Sequence, residues 1–471
     1  MTSRRSFLKQ AGSAILATAV LPLTQCARET QKTNIIYILA DDLGYGDLGC
    51  YGQKEIQTPN IDRMASEGML FTDHYAGCTV CAPSRCTLMT GKHTGHARIR
   101  GNKNVPLRPE DTTVAEILKS AGYTTGLIGK WGLGDNESTG APNKKGFDYF
   151  YGYLSQVRAH NYYPDWLWEN TGKVYLDNKE VFSPSGYAKG VGSASTNKVT
   201  YSHDLFSEKA LSFIDENQQN PFFLYLAYTI PHANDEWELV PADSGMEVPD
   251  YGIYKDKAWP AAQKGQAAMI TRMDRDIGRI IGKLKEFDLD QNTLVMFTSD
   301  NGPHAEGGND PDFNDSNGPL RGIKRDMYEG GIRVPMIARW PNTIKPGTRT
   351  DLVSAFWDVL PTCAEMVGVT PPADIDGISF LPTLKGETAK QKKHDYLYWE
   401  FHWWEPTRFA IRQGNWKAVK DGPDADIELY DLSSDISEQV NVAAEHPDKV
   451  SEMEKLFKSA RTDSEDWPLD S

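Results

Sequence analysis

The stretch Asn34-Ile35-Ile36-Tyr37-Ile38-Leu39-Ala40-Asp41-Asp42 decides the fold of this chain. Its apolar part, Ile35–Ala40, is continuous rather than alternating, which is typical of a strand buried on both faces of a parallel sheet. Two adjacent carboxylates follow the run directly. The stretch therefore predicts a central β-strand that delivers Asp41 and Asp42 at its carboxyl end.

Three further apolar runs have the same form, because each leads into a polar residue. They are Thr124–Gly129, which ends at Lys130, Phe222–Thr229, which ends near His232, and Leu294–Thr298, which ends at Ser299-Asp300-Asn301. Amphipathic segments alternate with these runs and predict helices at Val114–Ser120, Asp204–Glu216 and Gln266–Phe287. The alternation predicts an α/β fold with a large, mainly parallel mixed sheet flanked by helices.

The polar residues at the strand ends are far apart in the sequence. In open parallel sheets, ligands bind outside the carboxyl ends of the strands. We therefore expect Asp41, Lys130, His232 and Asp300 to converge at one edge of the sheet.

Two other regions do not follow the alternating pattern of strands and helices. The segment 148–200 is rich in Tyr, Trp, Gly and Ser, which predicts a long irregular insertion. After about Pro371 the sequence predicts short strands and a closing helix, hence a small C-terminal α+β subdomain with an antiparallel sheet. These elements are expected at Tyr396–Phe401, Arg408–Arg412, Trp416–Lys420 and Glu445–Arg461. The expected domains are 33–370, carrying the chemistry, and 371–471.

The composition excludes one class of partner and limits another. With 50 Lys and Arg against 65 Asp and Glu, the formal net charge of the 471-residue chain is −15. An acidic surface repels phosphate backbones, so we expect no nucleic-acid partner. An anionic substrate would need a locally basic site. The six cysteines are too few for a disulfide scaffold in a chain of this length.

The segment Cys81-Ala82-Pro83-Ser84-Arg85, continued by Cys86-Thr87-Leu88-Met89-Thr90-Gly91, carries the strongest functional signal. It resembles the formylglycine signature of the type I sulfatase family, which is Cys, any residue, Pro, Ser and Arg, followed by Leu, Thr and Gly at fixed offsets. The other motifs of the family appear in the family's order. The resemblance is closest to exported bacterial polysaccharide sulfatases and N-acetylgalactosamine-6-sulfatase-like members, and it implies an alkaline-phosphatase-like fold.

The resemblance implies a specific chemistry at Cys81. A formylglycine-generating enzyme would oxidise the thiol to an aldehyde, whose hydrate attacks the sulfur of a sulfated carbohydrate. The second hydroxyl of the hydrate then expels sulfate, which a serine could not do. Pro83 predicts a helix that starts just after the nucleophile and turns its N–H groups toward the sulfate.

The resemblance also assigns the charged side chains around the sulfate. Arg85, Lys130 and Lys324 match positions that contact the sulfate or the hydrate. His232 matches the histidine that donates a proton to the leaving oxygen, a task that suits an imidazole with a pKa near neutrality. His304 is a second candidate for the acid or for contact with the substrate.

A metal site is expected at the strand ends. Adjacent buried carboxylates are costly unless they are paired or bind a cation, and all-oxygen ligands favour calcium or magnesium. The resemblance implies one calcium ion bound by Asp41, Asp42, Asp300, Asn301 and the modified Cys81.

Position 132 departs from the family pattern. Many relatives have a histidine two residues after the lysine that corresponds to Lys130, where this chain has Gly132. The group that usually helps to orient the hydrate is therefore absent. Either His304, His74 or another group takes its place, or the activity is altered.

The N-terminus predicts export. Arg4-Arg5 before Phe7-Leu8-Lys9, with an apolar stretch from Ala11 to Leu23, resembles a twin-arginine signal over residues 1–26. Leu23-Thr24-Gln25-Cys26 resembles a bacterial lipobox, in which Cys26 would be lipidated. Lipidation and simple cleavage nearby are both open, so the expected location is the periplasm or the cell envelope.

Two alternatives to a sulfatase stay open from the sequence. A phosphatase or phosphodiesterase of the same superfamily would hold two metal ions and use Ser or Thr as its nucleophile. A non-catalytic surface protein that binds sulfated glycans would explain the glycine at position 132. Aromatic residues that could contact sugar rings are Tyr162, Tyr163, Trp166, Trp168, Trp237, Trp403 and Trp404.

Overall fold

A mixed sheet of ten strands forms the centre of the protein in a computed structural model, which describes residues 32–402 and 406–469. The strands in chain order are β1 (Asn34–Ala40), β2 (Met69–Phe71), β3 (His74–Tyr75), β4 (Thr124–Lys130), β5 (Tyr149–Tyr153), β6 (Trp166–Glu169), β7 (Gly172–Tyr175), β8 (Lys179–Phe182), β9 (Ser193–Asn197), β10 (Phe222–Ala227), β11 (Thr293–Ser299), β12 (Met336–Arg339), β13 (Thr348–Thr350), β14 (Ser354–Ala355), β15 (Leu397–Phe401), β16 (Arg408–Gln413), β17 (Trp416–Asp421) and β18 (Glu428–Asp431). Across the main sheet their order is β13-β2-β12-β11-β1-β10-β4-β5-β6-β7.

The centre of this sheet is parallel and its flanks are largely antiparallel. Strand β1 pairs in parallel with β10 and β11, and β4 pairs in parallel with β10 and β5. Antiparallel pairs follow outward at β11–β12, β12–β2, β5–β6 and β6–β7. The predicted α/β class and mainly parallel mixed sheet are confirmed.

Helices cover both faces of the sheet. In chain order they are α1 (Pro59–Ser66), α2 (Cys81–Thr90), α3 (Val114–Ser120), α4 (Ser202–Glu216), α5 (Ala261–Glu286), α6 (Glu329–Ile332), α7 (Val359–Val367), α8 (Leu381–Leu384) and α9 (Pro447–Ser459). Ile36 and Ile38 of β1 pack with α1, α4 and α5, whereas Ile35, Tyr37 and Leu39 pack with α2, α3 and α7. Because successive side chains point to opposite faces, burial on both sides explains the unbroken apolar run.

The segment 148–200 differs from the expected irregular insertion. It contains β5 to β9, and β5 extends the main sheet because Gly126–Lys130 pairs in parallel with Tyr149–Tyr153. The tyrosine-rich stretch is thus a buried strand, and its aromatic side chains pack in the core.

The C-terminal region forms a separate antiparallel sheet in the order β15-β16-β17-β18. One face packs against α9 through Phe409, Ile411, Met453 and Phe457. The opposite face packs against Tyr75 and Trp357 through residues such as Trp399. The antiparallel sheet and closing helix are as expected, and the boundary near residue 370 stays a prediction.

Candidate active site

The polar residues at the strand ends meet at one edge of the sheet, as the sequence predicts. Lys130 Nζ at the end of β4 lies 2.7 Å from Asp41 Oδ2 at the end of β1. The backbone N–H of Asp42 donates to Asp300 Oδ1, after β11, at 3.1 Å. Asp42 has φ 65°, so the chain turns sharply as it leaves β1. All of these groups are buried.

Helix α2 brings Cys81 to the same edge. Cys81 is the first residue of the helix, and Val80 before it is extended and makes no side-chain cap. Ser84 fixes the start of the helix, because its hydroxyl accepts from Gly77 N–H and donates to the Asp300 carbonyl. Burial raises the pKa of the Cys81 thiol above its ordinary value, so an unmodified thiol there stays protonated.

Arg85, one turn into α2, joins the helix to the strand ends. Its Nε and Nη2 both donate to Asp300 Oδ2, at 3.0 and 2.8 Å, and its Nη1 donates to the Lys130 carbonyl at 2.8 Å. Asp41 Oδ2 lies 3.5 Å from the same guanidinium. The arginine is fully buried, so these contacts rather than water molecules fix the orientation of its N–H groups.

The carboxylates at this edge are not equally stabilised by the neighbouring cations. Burial alone would raise the pKa of Asp41, but Lys130 and Arg85 hold it well below its usual range. Burial and the nearby Asp41 raise the pKa of Asp300 to about 7, although Arg85 opposes the shift. A further positive charge beside Asp300 would relieve that cost.

The oxygen atoms at this edge fit a hard cation. Asp41 Oδ1 and Asn301 Oδ1 are buried and have no hydrogen-bond partner among the described residues. The Asn301 amide nitrogen donates to Asp42 Oδ1 at 2.7 Å, which leaves its oxygen for another ligand. Ligand atoms of Asp41, Cys81 and Asp300 all lie within 4.8 Å of one another. Such oxygen donors are the ligands that calcium and magnesium prefer.

Lys324 occupies the centre of a second buried group beside the first. Its Nζ lies 3.0 Å from Asp42 Oδ2, 2.8 Å from Glu306 Oε2 and 3.0 Å from His232 Nε2. Arg325 pairs with the same Glu306. The structure thus brings Lys324, a position assigned from the family resemblance, to the strand ends.

The surroundings of His232 favour the neutral form of its imidazole. Burial, followed by the charge of Lys324, lowers its pKa to about 4. Its Nδ1 donates to the Ala233 carbonyl at 2.5 Å, and its Nε2 accepts from the Lys324 ammonium. This differs from the near-neutral pKa expected from the sequence, because the site is dry and already holds a cation next to the ring.

The two other histidines have different surroundings. His304 lies near the site, but its Nε2 donates to the Pro231 carbonyl and its Nδ1 accepts from Glu306 N–H. Both ring nitrogens are therefore hydrogen-bonded to the backbone. His74 lies in β3, where its Nδ1 pairs with Ser354 Oγ at 2.9 Å. Among the described residues, His74 does not line the cavity next to Cys81, so it does not replace the histidine missing at position 132.

A cavity of about 560 Å³ opens over Cys81. Three of its lining residues, Gln156, His160 and Glu236, are polar and were not predicted from the sequence. The His160 ring stacks on His232 with centroids 4.8 Å apart, and its Nδ1 lies 3.1 Å from Glu236 Oε2. Glu306 was not predicted either, although it lies only five residues after Asn301, in the segment that follows the same strand.

Most of the aromatic residues proposed as sugar contacts lie elsewhere. Tyr162 and Tyr163 are buried in the core, where the Tyr162 hydroxyl donates to the Thr229 carbonyl. Trp166 and Trp168 line a different cavity, which they share with Arg158. Trp403 and Trp404 are outside the described residues, as is the predicted export signal.

Comparison with known proteins decides the family. A family model described as sulfatase matches residues 33–369, and a second, described as N-sulphoglucosamine sulphohydrolase, C-terminal, matches residues 323–463. The chain belongs to the sulfatase family. This sulfatase is therefore a hydrolase of sulfuric esters, and its family generally uses a formylglycine and a metal ion.

Relatives of this sulfatase cover most of its length. An N-acetylgalactosamine-6-O-sulfatase of Bacteroides thetaiotaomicron is 32% identical over 511 aligned residues, which cover 92% of this chain and 94% of that protein. An N-acetylgalactosamine-6-sulfatase of Sus scrofa is 33% identical, and the match covers 82% of this chain and 74% of the relative.

Solved structures share its fold. The crystal structure of Ps i-CgsB has a TM-score of 0.76 and 30% identity over 94% of this chain and 96% of its own, and the same protein has been solved with k-i-k-neocarrahexaose. A phosphonate monoester hydrolase of Agrobacterium radiobacter, at 21% identity with a TM-score of 0.65 over 91% of this chain and 95% of its own, shares the fold alone.

Proposed function

We propose that this sulfatase hydrolyses sulfate esters of a sulfated poly- or oligosaccharide, with residue 81 acting as formylglycine. The observation that carries the proposal is Cys81 at the start of α2, where the signature motif opens into a cavity beside buried cations and carboxylates. The relatives support a carbohydrate substrate, because two are N-acetylgalactosamine-6-sulfatases and a similar structure contains k-i-k-neocarrahexaose.

Three cations would hold the sulfate group. Arg85, Lys130 and Lys324 are buried beside residue 81, and their positions are fixed by Asp41, Asp42 and Asp300. The first N–H groups of α2 add a positive end of the helix dipole. Because these charges are fixed in a dry site, they stabilise the developing charge of the transition state without reorganising.

A single calcium ion would be bound by Asp41, Asp42, Asp300, Asn301 and residue 81. The unpartnered oxygens of Asp41 and Asn301 and the raised pKa of Asp300 support this assignment. When bound, the ion supplies Lewis-acid polarisation of a sulfate oxygen. Hydrogen bonds from Arg85 to Asp300 and from Asn301 to Asp42 would hold these two carboxylates in place to receive the ion.

The chain's own groups would handle the nucleophile and the proton. One hydroxyl of hydrated formylglycine attacks sulfur, and loss of the proton from the second hydroxyl breaks the carbon–oxygen bond and releases sulfate. We assign proton transfer to the leaving sugar oxygen to His232, whose Nε2 would take up a proton from solvent before it donates. Burial would lower the pKa of Lys324, but Asp42 and Glu306 hold it well above its usual value, so this ammonium, 3.0 Å from His232 Nε2, stays charged. His304 would position this pair through the Glu306 and Pro231 backbone rather than touch the substrate.

Lys324 argues against a two-metal phosphatase. Ligand atoms of Asp42, His304 and Glu306 lie within 4.8 Å of one another, which resembles a second metal site. The Lys324 ammonium bonds both Asp42 and Glu306 and fills that space with a positive charge. We therefore expect about one calcium ion per purified chain, whereas about two zinc ions would favour the phosphatase.

Maturation and location follow from the sequence motifs. A formylglycine-generating enzyme would modify Cys81, and the signal over residues 1–26 would export the protein to the periplasm or, if Cys26 is lipidated, to the cell envelope. Among the described residues, the helices are either too short or too polar to cross a membrane.

Mass spectrometry of the Cys81 peptide, after expression with a formylglycine-generating enzyme, tests the proposal together with a panel of sulfated algal and animal glycans. We expect an aldehyde at residue 81 and release of sulfate. Cys81→Ser keeps one hydroxyl and should lose turnover, whereas the matched control Cys50→Ser, at a half-buried site outside the cavity, should keep it. An unmodified thiol in a competent host, or an aldehyde without release of sulfate from any glycan, contradicts the proposal.

A further inference from the structure

Gly132 leaves a space at the active site that another side chain fills. The residue has φ +79°, and a Cβ atom built on it would lie 1.8 Å from Gln156 Nε2 and 2.5 Å from Gln156 Cδ. Any side chain at position 132 would therefore collide with the Gln156 carboxamide. The glutamine occupies the place where the histidine of other family members would begin.

The sheet itself brings Gln156 to this place. Strands β4 and β5 are parallel neighbours, with Lys130 opposite Tyr153. The ladder continues past the strand ends, because Trp131 N–H donates to the Tyr153 carbonyl at 2.9 Å and Gly132 N–H donates to the Leu154 carbonyl at 3.0 Å. Gln156, two residues further on, then lies beside Gly132.

Both polar atoms of the Gln156 side chain are available. Its Oε1 and Nε2 are buried and make no hydrogen bond to any described residue. Leaving an amide unpaired in a buried place costs about 1–3 kcal/mol, so such a group indicates a missing partner. Gln156 also lines the cavity that contains Cys81, His232 and Lys324.

We propose that Gln156 is a further catalytic residue, which contacts the reacting groups in place of the histidine absent from position 132. Its Nε2 donates to an oxygen of the bound sulfate ester, and its Oε1 accepts from a hydroxyl of hydrated residue 81. The inference rests on the proposed function and deepens it, because it concerns the same site.

An amide differs from an imidazole in one chemical respect. It offers a donor and an acceptor at the same time but does not take up or release a proton near neutral pH. Gln156 can therefore orient the hydrate and the sulfate, while the protons must pass through other groups. A histidine at position 132 could both orient the hydrate and transfer a proton, whereas Gln156 could only orient it.

Two variants test the assignment in the full chain, with N-acetylgalactosamine 6-sulfate as the first probe. Gln156→Ala removes both hydrogen bonds and should lower kcat/KM by about 10- to 100-fold, the range for hydrogen bonds to charged groups. Gln156→Glu keeps the size of the side chain but replaces the donor with a carboxylate, which repels sulfate. We expect Gln156→Glu to lose at least as much activity as Gln156→Ala and to raise KM more. Gln219→Ala, an exposed glutamine after α4, is the matched control and should retain full activity.

The formylglycine content of each protein, measured by mass spectrometry, and its urea midpoint show that the variants are folded and mature. If Gln156 only fills space, the nearly isosteric Gln156→Glu will keep activity that Gln156→Ala loses, and the assignment is overturned. An active wild type with an equally active Gln156→Ala overturns it as well. A wild type that carries formylglycine but cleaves no sulfated probe refutes the proposed function itself.

Discussion

The C-terminal sheet is joined to the catalytic part of the chain through a fully buried ion cluster, and Lys417→Met should break it. Lys417 Nζ, on β17, lies 3.0 Å from Glu329 Oε1 and 3.2 Å from Glu438 Oε1, and all three side chains are inaccessible to solvent. Glu329 begins α6, in the segment that follows Lys324. Removing Lys417 leaves two carboxylates buried against each other.

Two independent arguments give the size of the effect. Removing one partner of a buried ion pair typically costs about 3–5 kcal/mol. A second figure comes from the pKa of Glu329. Burial alone would raise it, but Lys417, helped by Arg333, lowers it to about 2, and losing that shift costs up to about 3 kcal/mol at pH 7, at 1.36 kcal/mol per unit. We expect about 3 kcal/mol, since Glu329 keeps Tyr75 and Arg333 as partners.

The pH dependence has a definite sign. In the wild type, folded Glu329 stays ionised to a lower pH than it does in the unfolded chain, so the stability that Lys417 supplies is complete above about pH 4.5 and is lost as the pH falls toward 2. At pH 3 the deficit of the variant from this source should fall to about half its value at pH 7.

Urea denaturation at pH 3 and pH 7, followed by far-ultraviolet circular dichroism, measures both quantities. Lys417→Met/Glu438→Gln removes the unpaired charge and should recover much of the loss. Lys420→Met on the same strand, where the lysine meets Glu454 at 3.4 Å near the surface, is the matched control and should cost under about 1 kcal/mol. A deficit below 1 kcal/mol at pH 7, or one that does not change with pH, would show that the cluster is not held together as argued.

Three further predictions concern other parts of the molecule. Glu400 has a pKa lowered to about 2, because His402, Arg100 and Arg461 outweigh its burial. Its ionised form therefore contributes about 3 kcal/mol to stability above pH 4.5, and this is lost as the pH falls toward 2. The urea midpoint of Glu400→Gln should vary less between pH 6 and pH 3 than that of the wild type. Asn301→Ala removes an unpartnered buried oxygen, and calorimetric titration with calcium should show at least about tenfold weaker binding; unchanged affinity would exclude Asn301 as a ligand. Gly77→Ala places a Cβ atom 1.5 Å from Thr87 Oγ1 under α2, and the resulting overpacking should lower the unfolding free energy by about 1–3 kcal/mol in the same urea assay.

The central fold could be predicted because its signals are local. The four inner strands are continuous apolar runs that the chain buries on both faces, and the structure places them within one or two residues of the expected bounds. The outer strands β2, β12 and β13 have only three or four residues each, and β2 pairs with β12 and β13, which lie far along the chain. A pairing of that kind leaves no pattern within a sequence window.

The site divides in the same way. Asp41, Lys130, Asp300 and Cys81 follow strands or lie in a dense motif, so the sequence indicated them. Gln156 lies in no motif, and its position depends on how the chain leaves two neighbouring strands. The low pKa of His232 depends on burial beside Lys324, which no residue spacing encodes.

The even balance of charge at the strand ends has a consequence for binding order. Among the described residues, the network of ion pairs at the strand ends joins four carboxylates to four cationic side chains: Asp41, Asp42, Asp300 and Glu306 against Arg85, Lys130, Lys324 and Arg325. A sulfate monoester alone would leave an excess of one negative charge, and a divalent ion alone an excess of two positive charges. Each ligand therefore lowers the electrostatic cost of the other, and thermodynamic linkage requires that this help be equal in both directions. Calcium affinity measured with substrate present should exceed that of the empty enzyme by the same factor by which calcium tightens the substrate.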